Sequence, residues 1–469
     1  MKIHGPVLFL DDATPDGLHL AALFIAPKGQ RPPPVETAAR SSPAVAIAEY
    51  DTMTVYRARF LLGNEGEYRW NGTTFAVQTG TSDQMRIAYV SCNGEEIGDL
   101  HREGSERNAM WARLCRDHAA QPFSILLHGG DQVYADEATD GHALTADWPG
   151  MPAETPSPEA LADLRHHLRE RFLQRYVALY ASPEFAWAVA RIPSLMQWDD
   201  HDICDGWGSL QREATDSAIG QALFAAAREA FLVFQAAAAE GDLPPRFADP
   251  AGGHLGWSIR IPKLRLLAPD LRSERTRRRI MGRGGWAFLD GQEEPGPDER
   301  CVVMSSVPLL GPRLSLLETL MILVPQMQRF EDDLRDQWQS HAHRDEWQRM
   351  LRLMVRLGGN GRNVVALSGE IHLATRAEMG MDGGVLLHQL VASGISHRPP
   401  PKAWARFLGL LSSIGDAPLP GRPIRMQRIP GQKGRYVAER NYLTLCREGD
   451  TWRAQWEFEN SGTSPALDL

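Results

Sequence analysis

The sequence is poor in cysteine, and the few cysteines are not arranged in pairs. Five occur in 469 residues, an odd number without a CxxC motif: Cys92, Cys115, Cys204, Cys301 and Cys446. A disulfide framework is therefore not indicated, and a reducing compartment is favoured. The N-terminal residues contain neither a signal-peptide hydrophobic segment nor a twin-arginine motif. We therefore expect a cytoplasmic protein.

Long hydrophobic runs and an excess of basic residues are also missing. The most apolar stretch, residues 314–324, is interrupted by Glu318 and is too short to span a bilayer, so no membrane segment is expected. The chain has 50 Lys and Arg against 59 Asp and Glu, which gives a formal net charge of −9. A nucleic-acid-binding surface is therefore not expected, although a local basic pocket is compatible with this balance.

The composition that is present is that of a globular protein, with 43% hydrophobic and 23% charged residues. The length predicts one large domain plus an appendage. Residues 1–82 carry β-rich stretches at 18–26, 54–62 and 66–79 and show no cluster of catalytic residues. We predict a small N-terminal β-sandwich-like domain there, followed by a second domain at residues 83–469.

Beyond residue 86 the pattern predicts an α/β core. Short apolar stretches typical of buried strands alternate with longer stretches whose apolar residues recur at three- and four-residue spacing. The predicted strands cover residues 87–90, 124–127, 194–197, 264–267 and 364–367. The predicted helices cover residues 158–180, 217–240 and 330–357. Residues 435–458 return to β character, and the alternation as a whole predicts a layered α/β fold.

Unusual polar sequences follow four of the predicted strands. They are Ser91-Cys92-Asn93-Gly94, the segment 128–136 with its Gly-Gly-Asp turn, Trp198-Asp199-Asp200-His201-Asp202, and Ser368-Gly369-Glu370-Ile371-His372. In an α/β sheet, ligands bind beyond the carboxyl ends of the strands, where loops from separate strands converge. The sequence therefore predicts one site built from four loops.

The residue types in these loops are those of a two-metal hydrolase. Asp131 can bridge two cations, because the two preceding glycines let the backbone approach closely. Tyr134 points to a strongly Lewis-acidic ion such as Fe(III), since tyrosine is normally protonated at neutral pH. The thiolate of Cys92 also suits iron, although zinc is its commoner partner.

A second ion is indicated by the carboxylates. Asp200 and Glu370 supply hard oxygen ligands suited to Ca²⁺, Mg²⁺ or Mn²⁺. His201, next to one of these ligands, is placed to donate a proton or to stabilise transferring charge. The two metal positions together predict hydrolysis at a dinuclear centre.

These segments resemble the PhoD-like alkaline phosphatases, a branch of the calcineurin-like metallophosphoesterases. The resemblance is carried, in chain order, by SCN, HGGDQVYADE, QWDDHDICDGWGS, APDLRSER, LSGEIHLA and QLVASGIS, across residues 82–450. It implies a four-layered αββα sandwich, usually preceded by a small β domain. It also implies metal-dependent hydrolysis of phosphate esters.

Position by position, the resemblance implies a role for each residue of the site. Asp131 bridges the ions, Cys92, Tyr134 and His372 complete an Fe(III) site, Asp200 binds the second divalent cation, and His201 acts on the leaving group. Ca²⁺ is the favoured second cation, with Mn²⁺, Mg²⁺ or Zn²⁺ as alternatives. Glu370 stands where better-known members carry Asp, and its extra methylene shifts the carboxylate outward. Arg272 matches the family's Asp-x-Arg pattern and is a candidate clamp for the phosphate.

Several neighbouring polar residues have simpler structural explanations. Asp199 and Asp200 compete for one ligand role; the resemblance favours Asp200, and Asp199 is expected to hydrogen-bond to the turn. Loop capping or support of the ligands is the expected role of Asp136, Asp202 and Asp205. Cys204 is expected to be structural, and residues 273–279 to form a solvated basic loop. His341 and His343 are two residues apart in a predicted helix and therefore do not share a face.

The sequence therefore predicts a phosphomonoesterase or phosphodiesterase that acts on a small phosphate ester. A rival in the same class is a phosphodiesterase that acts on lipid head groups or nucleotides. Two rivals from other classes also remain open. One is a metal-binding protein without turnover, in which Glu370 spoils the second metal position. The other is a partner-docking protein whose N-terminal β region is active while the old site is vestigial. The sequence predicts no particular oligomeric state.

Overall fold

The computed structural model describes residues 2–80, 84–150, 155–312, 336–413 and 415–469. The apolar stretch 314–324 and the beginning of the helix predicted from residue 330 lie outside these ranges. Among the described helices, none combines the length and the apolar character that a bilayer-spanning segment needs.

The strands are numbered along the described chain. They are β1 (His4–Thr14), β2 (Gly17–Pro27), β3 (Val35–Glu36), β4 (Ser41–Ser42), β5 (Val45–Glu49), β6 (Met53–Leu62), β7 (Glu67–Trp70), β8 (Thr73–Ala76), β9 (Gln84–Val90), β10 (Ile125–His128), β11 (Ser194–Met196), β12 (Trp257–Ile261), β13 (Leu264–Ala268), β14 (Arg300–Met304), β15 (Val364–Ser368), β16 (Ala374–Gly380), β17 (Leu386–Val391), β18 (Ile424–Gln427), β19 (Tyr436–Val437), β20 (Asn441–Glu448), β21 (Thr451–Phe458), β22 (Gly462–Thr463) and β23 (Leu467–Asp468).

The helices are numbered in the same way. They are α1 (Gly104–Arg107), α2 (Ala109–Ala120), α3 (Pro158–Ala181), α4 (Pro183–Val189), α5 (Arg212–Thr215), α6 (Ala218–Ala230), α7 (Arg283–Asp290), α8 (Arg344–Leu357) and α9 (Lys402–Leu411). A π-helical turn, Phe231–Gln235, extends α6. Short 3₁₀ turns lie at Asp99–His101, Asp136–Thr139, Ala143–Thr145, Asp200–Asp202, His341–His343 and Asp382–Gly384.

The first sheet has a parallel centre. Its eleven described strands run in the order β22-β21-β20-β9-β10-β11-β1-β2-β6-β5, with β23 paired to β21. The central strands β9, β10, β11 and β1 are parallel, with Leu127 opposite both Tyr89 and Leu195. Because parallel strands end at one edge of a sheet, the loops after β9, β10 and β11 are neighbours.

The second sheet repeats this plan. Its eight described strands include the path β12-β13-β14-β15-β17-β16-β18, and β13, β14, β15 and β17 are parallel. Two contacts join the ends of the two sheets: the Ser91 hydroxyl donates to the Ala392 carbonyl at 3.0 Å, and the Ile395 amide donates to the Ser91 carbonyl at 3.0 Å. The loops after β9 and β17 therefore meet.

Alternating side chains place the two sheets face to face between helices. On β14, Val302 packs in the core that also contains the first sheet, whereas Val303 packs with Trp286 of α7 and Trp347 of α8. The outer face of the first sheet is covered by α2, α3, α4 and α6, whose apolar residues join the first core. The predicted four-layered αββα sandwich is confirmed.

The N-terminal region is rich in strands, as predicted, but its long strands do not form a sandwich of their own. β1 pairs in parallel with β11, with Phe9 opposite Ser194, and β2, β6 and β5 continue the first sheet from there. Only β3, β4, β7 and β8 form a small separate sheet. The region therefore shares a layer with the core, and a domain boundary near residue 82 stays a prediction.

The predicted strands and helices of the core are largely present, with shifted ends. All five predicted strands occur: four match the expected bounds within one residue at each end, and β9 begins three residues earlier than predicted. The helix predicted at 217–240 ends early, because the chain passes through the π-helical turn and Ala237 adopts a left-handed φ of 49°. Strand β1 was missed, since its pairing with β11 brings together residues nearly two hundred positions apart.

Candidate metal centre

The site lies where five loops meet at the carboxyl ends of β9, β10, β11, β15 and β17. The Cys92 amide donates to the Gly130 carbonyl at 3.2 Å, and the Asn93 amide donates to the Asp131 carbonyl at 2.8 Å. The His397 amide, in the loop after β17, donates to the Cys92 carbonyl at 3.1 Å. The loops are thus bonded to one another through their backbones.

Four of the predicted site residues adopt a left-handed backbone. Cys92, Asp131, Glu370 and His372 have φ values of 54°, 54°, 65° and 53°. Positive φ is uncommon for residues other than glycine and costs on the order of 1–3 kcal/mol each. The surrounding structure must hold this strain, and strain of this kind clusters at functional sites.

Gly130 explains why the Gly-Gly-Asp turn needs glycine. It has a φ of 112°, and a Cβ added there would lie 2.6 Å from the Cβ of Asp199. The close approach brings the loop after β10 against the loop after β11. As a result, Asp131 and Asp199 lie side by side.

Asp202 holds the Asp131 turn in place. Its carboxylate accepts from the backbone amides of Asp131 at 2.9 Å, Gln132 at 3.0 Å and Asp199 at 2.9 Å. This is the supporting role expected from the sequence. A carboxylate that accepts several amides fixes a loop because each charge-assisted bond is strong.

The first ligand group consists of Cys92, Asp131 and His372. One donor atom from each lies within 4.8 Å of the others. The Cys92 thiol is 3.4 Å from Asp131 Oδ2 and 3.2 Å from the hydroxyl of Ser393. Tyr134 joins this group, because its hydroxyl is 2.9 Å from His372 Nε2.

The second ligand group consists of Asp131, Asp199 and Asp200, which are all buried and also lie within 4.8 Å of one another. Asp131 therefore belongs to both groups. Asp199 was expected to serve the turn, but its Oδ1 accepts from Arg272 and from the Ser306 hydroxyl at 2.8 Å.

Two buried oxygens in these groups have no hydrogen-bond partner among the described residues. They are Asp131 Oδ1 and Asp199 Oδ2. An unpaired buried carboxylate oxygen is costly unless a cation occupies its vicinity. The donor set of thiol, imidazole, phenol and carboxylates therefore fits bound metal ions.

Burial and mutual repulsion act on the acids of the site. Burial raises the pKa of Asp131 well above its usual value, and the neighbouring Asp199 raises it further. Burial raises the pKa of Asp199 to about 7, against the opposing charge of Arg272. Burial likewise raises the pKa of Glu370, with a contribution from Asp336. A bound cation would favour the ionised forms.

Arg272 lies inside the site, but its guanidinium N–H groups already donate to acceptors of the protein. The buried guanidinium donates to Asp199, to the Trp207 carbonyl at 2.8 Å, to Asp336 at 2.8 and 2.7 Å, and to Asp200 at 3.3 Å. Every N–H group thus has a protein acceptor, so this arrangement does not offer the phosphate clamp expected from the sequence.

His201 lines the cavity, and its ring is oriented by a contact between Nδ1 and Asp136. Its Nδ1 lies 3.0 Å from Asp136 Oδ2, and its ring packs on Tyr134 with centroids 4.3 Å apart. Burial lowers the pKa of His201, but the carboxylates of Asp136 and Asp200 outweigh burial and raise it well above its usual value. The supporting role expected for Asp136 is thereby observed.

Glu370 lines the cavity but is not a member of either ligand group. Both of its carboxylate oxygens accept from Gln337 Nε2 at 2.8 Å. Within the described ranges, it belongs to no group of three potential ligands within 4.8 Å. The structure therefore brings six of the seven predicted site residues together and places Glu370 on the wall beside them.

Three residues near the site were not recognised from the sequence. His397 stacks on His372 with ring centroids 3.4 Å apart, and its Nε2 lies 3.2 Å from Glu96. Asp336 neutralises Arg272. Glu96 follows the SCN motif and His397 follows QLVASGIS, so proximity to these motifs was the available signal. Asp336 carried no such signal.

The remaining alternatives differ in whether they approach the ligand groups. Cys204 is buried and belongs to no ligand group among the described residues, while Asp205 is exposed and groups with Asp200 and His201. His341 and His343 are the first and last residues of a 3₁₀ turn, so the prediction that they lie in a helix is wrong: in the described residues that helix covers only Arg344–Leu357. They also belong to no described ligand group.

A cavity of about 450 Å³ opens over the two ligand groups. Asp131, Asp200, His201, Glu370 and His372 are among the residues that line it. Its rim includes Pro400, Trp404 and Leu408, from the segment that leads into and forms α9. The volume matches a small-molecule site.

Comparisons with known proteins agree with this architecture. A protein of Saccharomyces cerevisiae, the uncharacterized protein YGR266W, is 23% identical over 455 residues, which cover 77% of this chain and 62% of that protein. The chain thus spans less than two thirds of that relative's length.

Two solved structures share the fold. The structure of PhoD matches with a TM-score of 0.58 at 12% identity, covering 98% of this chain and 88% of that one. Purple acid phosphatase PPD1 from yellow lupin (Lupinus luteus) seeds matches with a TM-score of 0.53 at 11% identity, covering 99% and 73%. At these identities the likeness concerns the fold.

The amino-acid sequence also matches a known protein family. Residues 73–330, more than half of the chain, match the family described as PhoD related phosphatase. The chain belongs to the PhoD related phosphatase family.

Proposed function

We propose that this protein hydrolyses phosphate esters at a dinuclear metal centre. The observation that carries the proposal is the position of Asp131, which belongs to both ligand groups at the meeting point of the strand ends. A carboxylate shared by two ligand groups is the arrangement of a two-metal hydrolase. Family membership supports the same reaction class.

The proposed ligands divide between the two groups. Cys92, Asp131, Tyr134 and His372 would hold Fe(III), and Asp131, Asp200 and Glu370 would hold a second divalent cation, with Ca²⁺ favoured. Asp199 joins the second set, because its free Oδ2 is buried beside Asp131. Glu370 would reach the cation by sharing or giving up its hydrogen bonds to Gln337.

Such ions supply a hydroxide nucleophile near neutral pH and neutralise charge on the phosphoryl oxygens. The protein residues then have three tasks. Asp131 fixes the spacing of the two positions, His201 donates a proton to the leaving oxygen, and Asp136 orients His201 by accepting from Nδ1.

Arg272 is proposed as a positioning residue. Its bonds to Asp199, Asp200 and Asp336 align the two ligand carboxylates and offset their repulsion. A phosphate would therefore be bound mainly by the cations and His201. The small cavity supports a small phosphate ester, monoester or diester, as substrate. A cytoplasmic location remains part of this proposal, supported by the five free thiols.

The proposal is tested by replacing the carboxylate of Asp131, which both ligand groups share, with a neutral amide of nearly the same shape. Asp131→Asn keeps the side-chain size, and Asn tolerates the left-handed φ at this position. We expect the variant to lose both metals by elemental analysis and to lose hydrolysis of p-nitrophenyl phosphate and bis-p-nitrophenyl phosphate.

The matched control is Glu170→Gln. Glu170 belongs to a group of potential ligands with Asp51 and His166, which is partly exposed and shares no residue with the two ligand groups. This variant should keep metal and activity. A native protein that hydrolyses neither ester with any of Fe, Ca²⁺, Mn²⁺, Mg²⁺ or Zn²⁺ would overturn the proposal and favour a vestigial site.

A further inference from the structure

Exposed apolar side chains are concentrated around the mouth of the cavity. Six large hydrophobic side chains are exposed in the described part of the chain, and five of them lie in two segments that border the cavity: Ile97, Leu100, Trp404, Phe407 and Leu410. The sixth, Val45, lies on the edge strand β5. A clustered apolar surface on a globular protein marks an interaction site.

Helix α9 carries the larger part of this surface. Trp404 is 41% exposed, Phe407 40% and Leu410 75%, and Ala405 is the only described residue of the helix that is fully buried. The Trp404 and Phe407 rings stack with centroids 5.4 Å apart. The helix therefore presents an ordered aromatic and aliphatic face outward.

The same region is strongly basic in an acidic protein. Residues 398–438 contain eight Lys and Arg and a single acidic residue, Asp416, whereas the whole chain has a net charge of −9. Lys402 and Arg406 on α9 are exposed and form no ion pair with another described residue. Basic and aromatic residues on one exposed helix are the composition of a segment that lies in a lipid interface.

The acidic residues near the second apolar segment, which contains Ile97 and Leu100, do not cancel the positive charge of residues 398–438. Ile97 and Leu100 follow Glu95 and Glu96, but Glu95 is paired with Arg398 at 2.8 Å. Asp99, in the same segment, is paired with Arg107 at 2.9 Å. The acidic side chains of this part of the rim are therefore largely neutralised within the protein.

The rim is continuous with the active cavity. Trp404 and Leu408 of α9 line the cavity, and Glu96 lines it from the opposite segment. A surface that docks on these residues would therefore cover the mouth of the cavity. The ligand groups would then face that surface.

We propose that α9 docks the mouth of the cavity onto an anionic lipid surface, and that the substrate is a phosphate ester displayed at that surface. This deepens the proposed function and rests on it for the substrate. The apolar side chains enter the interface, while Lys402 and Arg406 contact lipid phosphates. A symmetric dimer through α9 is disfavoured, because it would bring two basic segments together.

Vesicle co-sedimentation tests the docking without any turnover. The probes are vesicles of phosphatidylcholine mixed with phosphatidylserine, and vesicles of phosphatidylcholine alone. We expect the full chain to bind the anionic vesicles more strongly, and to bind them less as salt is raised. The double variants Phe407→Ser/Leu410→Ser and Lys402→Glu/Arg406→Glu should each weaken binding by about tenfold or more.

Matched controls use similar residues away from the cavity. Val45→Ser removes the other exposed hydrophobic side chain, and Arg165→Glu reverses an exposed charge on α3. Both should bind like the wild type, and circular dichroism should show all variants folded. Docking is overturned by absence of wild-type binding, by α9 variants that bind normally, or by controls that lose binding equally.

Two further outcomes separate the possibilities. Light scattering without vesicles that shows a dimer lost in the α9 variants would assign the surface to a second copy of the chain and overturn lipid docking. Hydrolysis of soluble esters without vesicle binding would leave the proposed function standing and the docking wrong. Vesicle binding without hydrolysis of any ester would support the docking and show that the proposed function is wrong.

Discussion

The two ligand groups differ in the donor atoms that they offer to a metal ion. The first group combines a thiol, an imidazole and a carboxylate from three loops, with the Tyr134 hydroxyl beside them. The second group consists of carboxylates alone, and Arg272 supplies a fixed positive charge next to them. Sulfur, nitrogen and phenolate donors suit a transition metal, whereas oxygen donors suit a hard divalent cation.

In the proposed dinuclear site, this difference would place two kinds of ion at the two ligand groups. The acids of the second group are partly neutralised by the protein, so they can remain near one another before an ion arrives. The first group has neutral donors apart from Asp131, so its affinity depends on deprotonation of Cys92 and Tyr134 by the ion itself. Substitutions on each side should therefore have distinct consequences.

The largest effect is expected from Cys92→Ser. Loss of the thiolate should remove the iron, bleach the tyrosinate-to-iron absorption and lower kcat by more than about 10³-fold, since a metal supplies several kcal/mol of transition-state stabilisation. The measurements are elemental analysis, a visible spectrum and ester hydrolysis. Cys204→Ser, at a buried thiol outside both groups, is the control. A colourless, iron-free and fully active wild type would refute the ferric assignment.

The next effect separates metal binding from proton transfer. His201→Ala should retain both metals and lower kcat by roughly 10²–10⁴-fold, the range for a general acid. Metal content and steady-state kinetics on the two nitrophenyl esters measure this. If the variant purifies without metal, His201 is a ligand and its assigned role is wrong.

A smaller effect is expected from Arg272→Lys, which keeps the charge but cannot reproduce five donors in a planar fork. The free energy of unfolding should fall by about 2–4 kcal/mol, because buried carboxylates lose charge-assisted partners. Affinity for the second cation should fall, while iron should be retained. Arg212→Lys, in the exposed pair with Asp216, should leave the free energy of unfolding at the wild-type value. Equal loss of both metals would show that Arg272 does not act on the second group alone.

The smallest effect concerns Glu370→Asp. The shorter carboxylate moves away from Gln337 and changes its reach, so we expect a changed order of preference among Ca²⁺, Mg²⁺ and Mn²⁺ with modest rate changes. Activity of apo-protein refilled with each cation measures this in both proteins. Identical preferences would make Glu370 a bystander on the cavity wall.

Much of the core was predictable because its signals are local. A buried strand is recognised from a short apolar stretch, such as residues 364–367, and a helix from apolar residues at three- and four-residue spacing, such as residues 158–180. Both signals lie within a few consecutive residues, and both elements occur close to the predicted bounds. The same locality explains the errors. Strand β1 depends on its pairing with β11, and the partners of Asp199 depend on Arg272 and Ser306, which come from distant strands.

The residue types that follow each buried strand can be read from the sequence alone, and with them the candidate ligands of a metal centre. This is possible because a strand end, a Gly-Gly-Asp turn and a ligand side chain occupy consecutive positions. Three relations could be read only from the three-dimensional packing: Asp131 belongs to both groups, Arg272 is fully paired, and Glu370 lies beside Gln337. These relations depend on the face-to-face packing of the two sheets and on the convergence of their loops, which set distances that no spacing along the chain encodes.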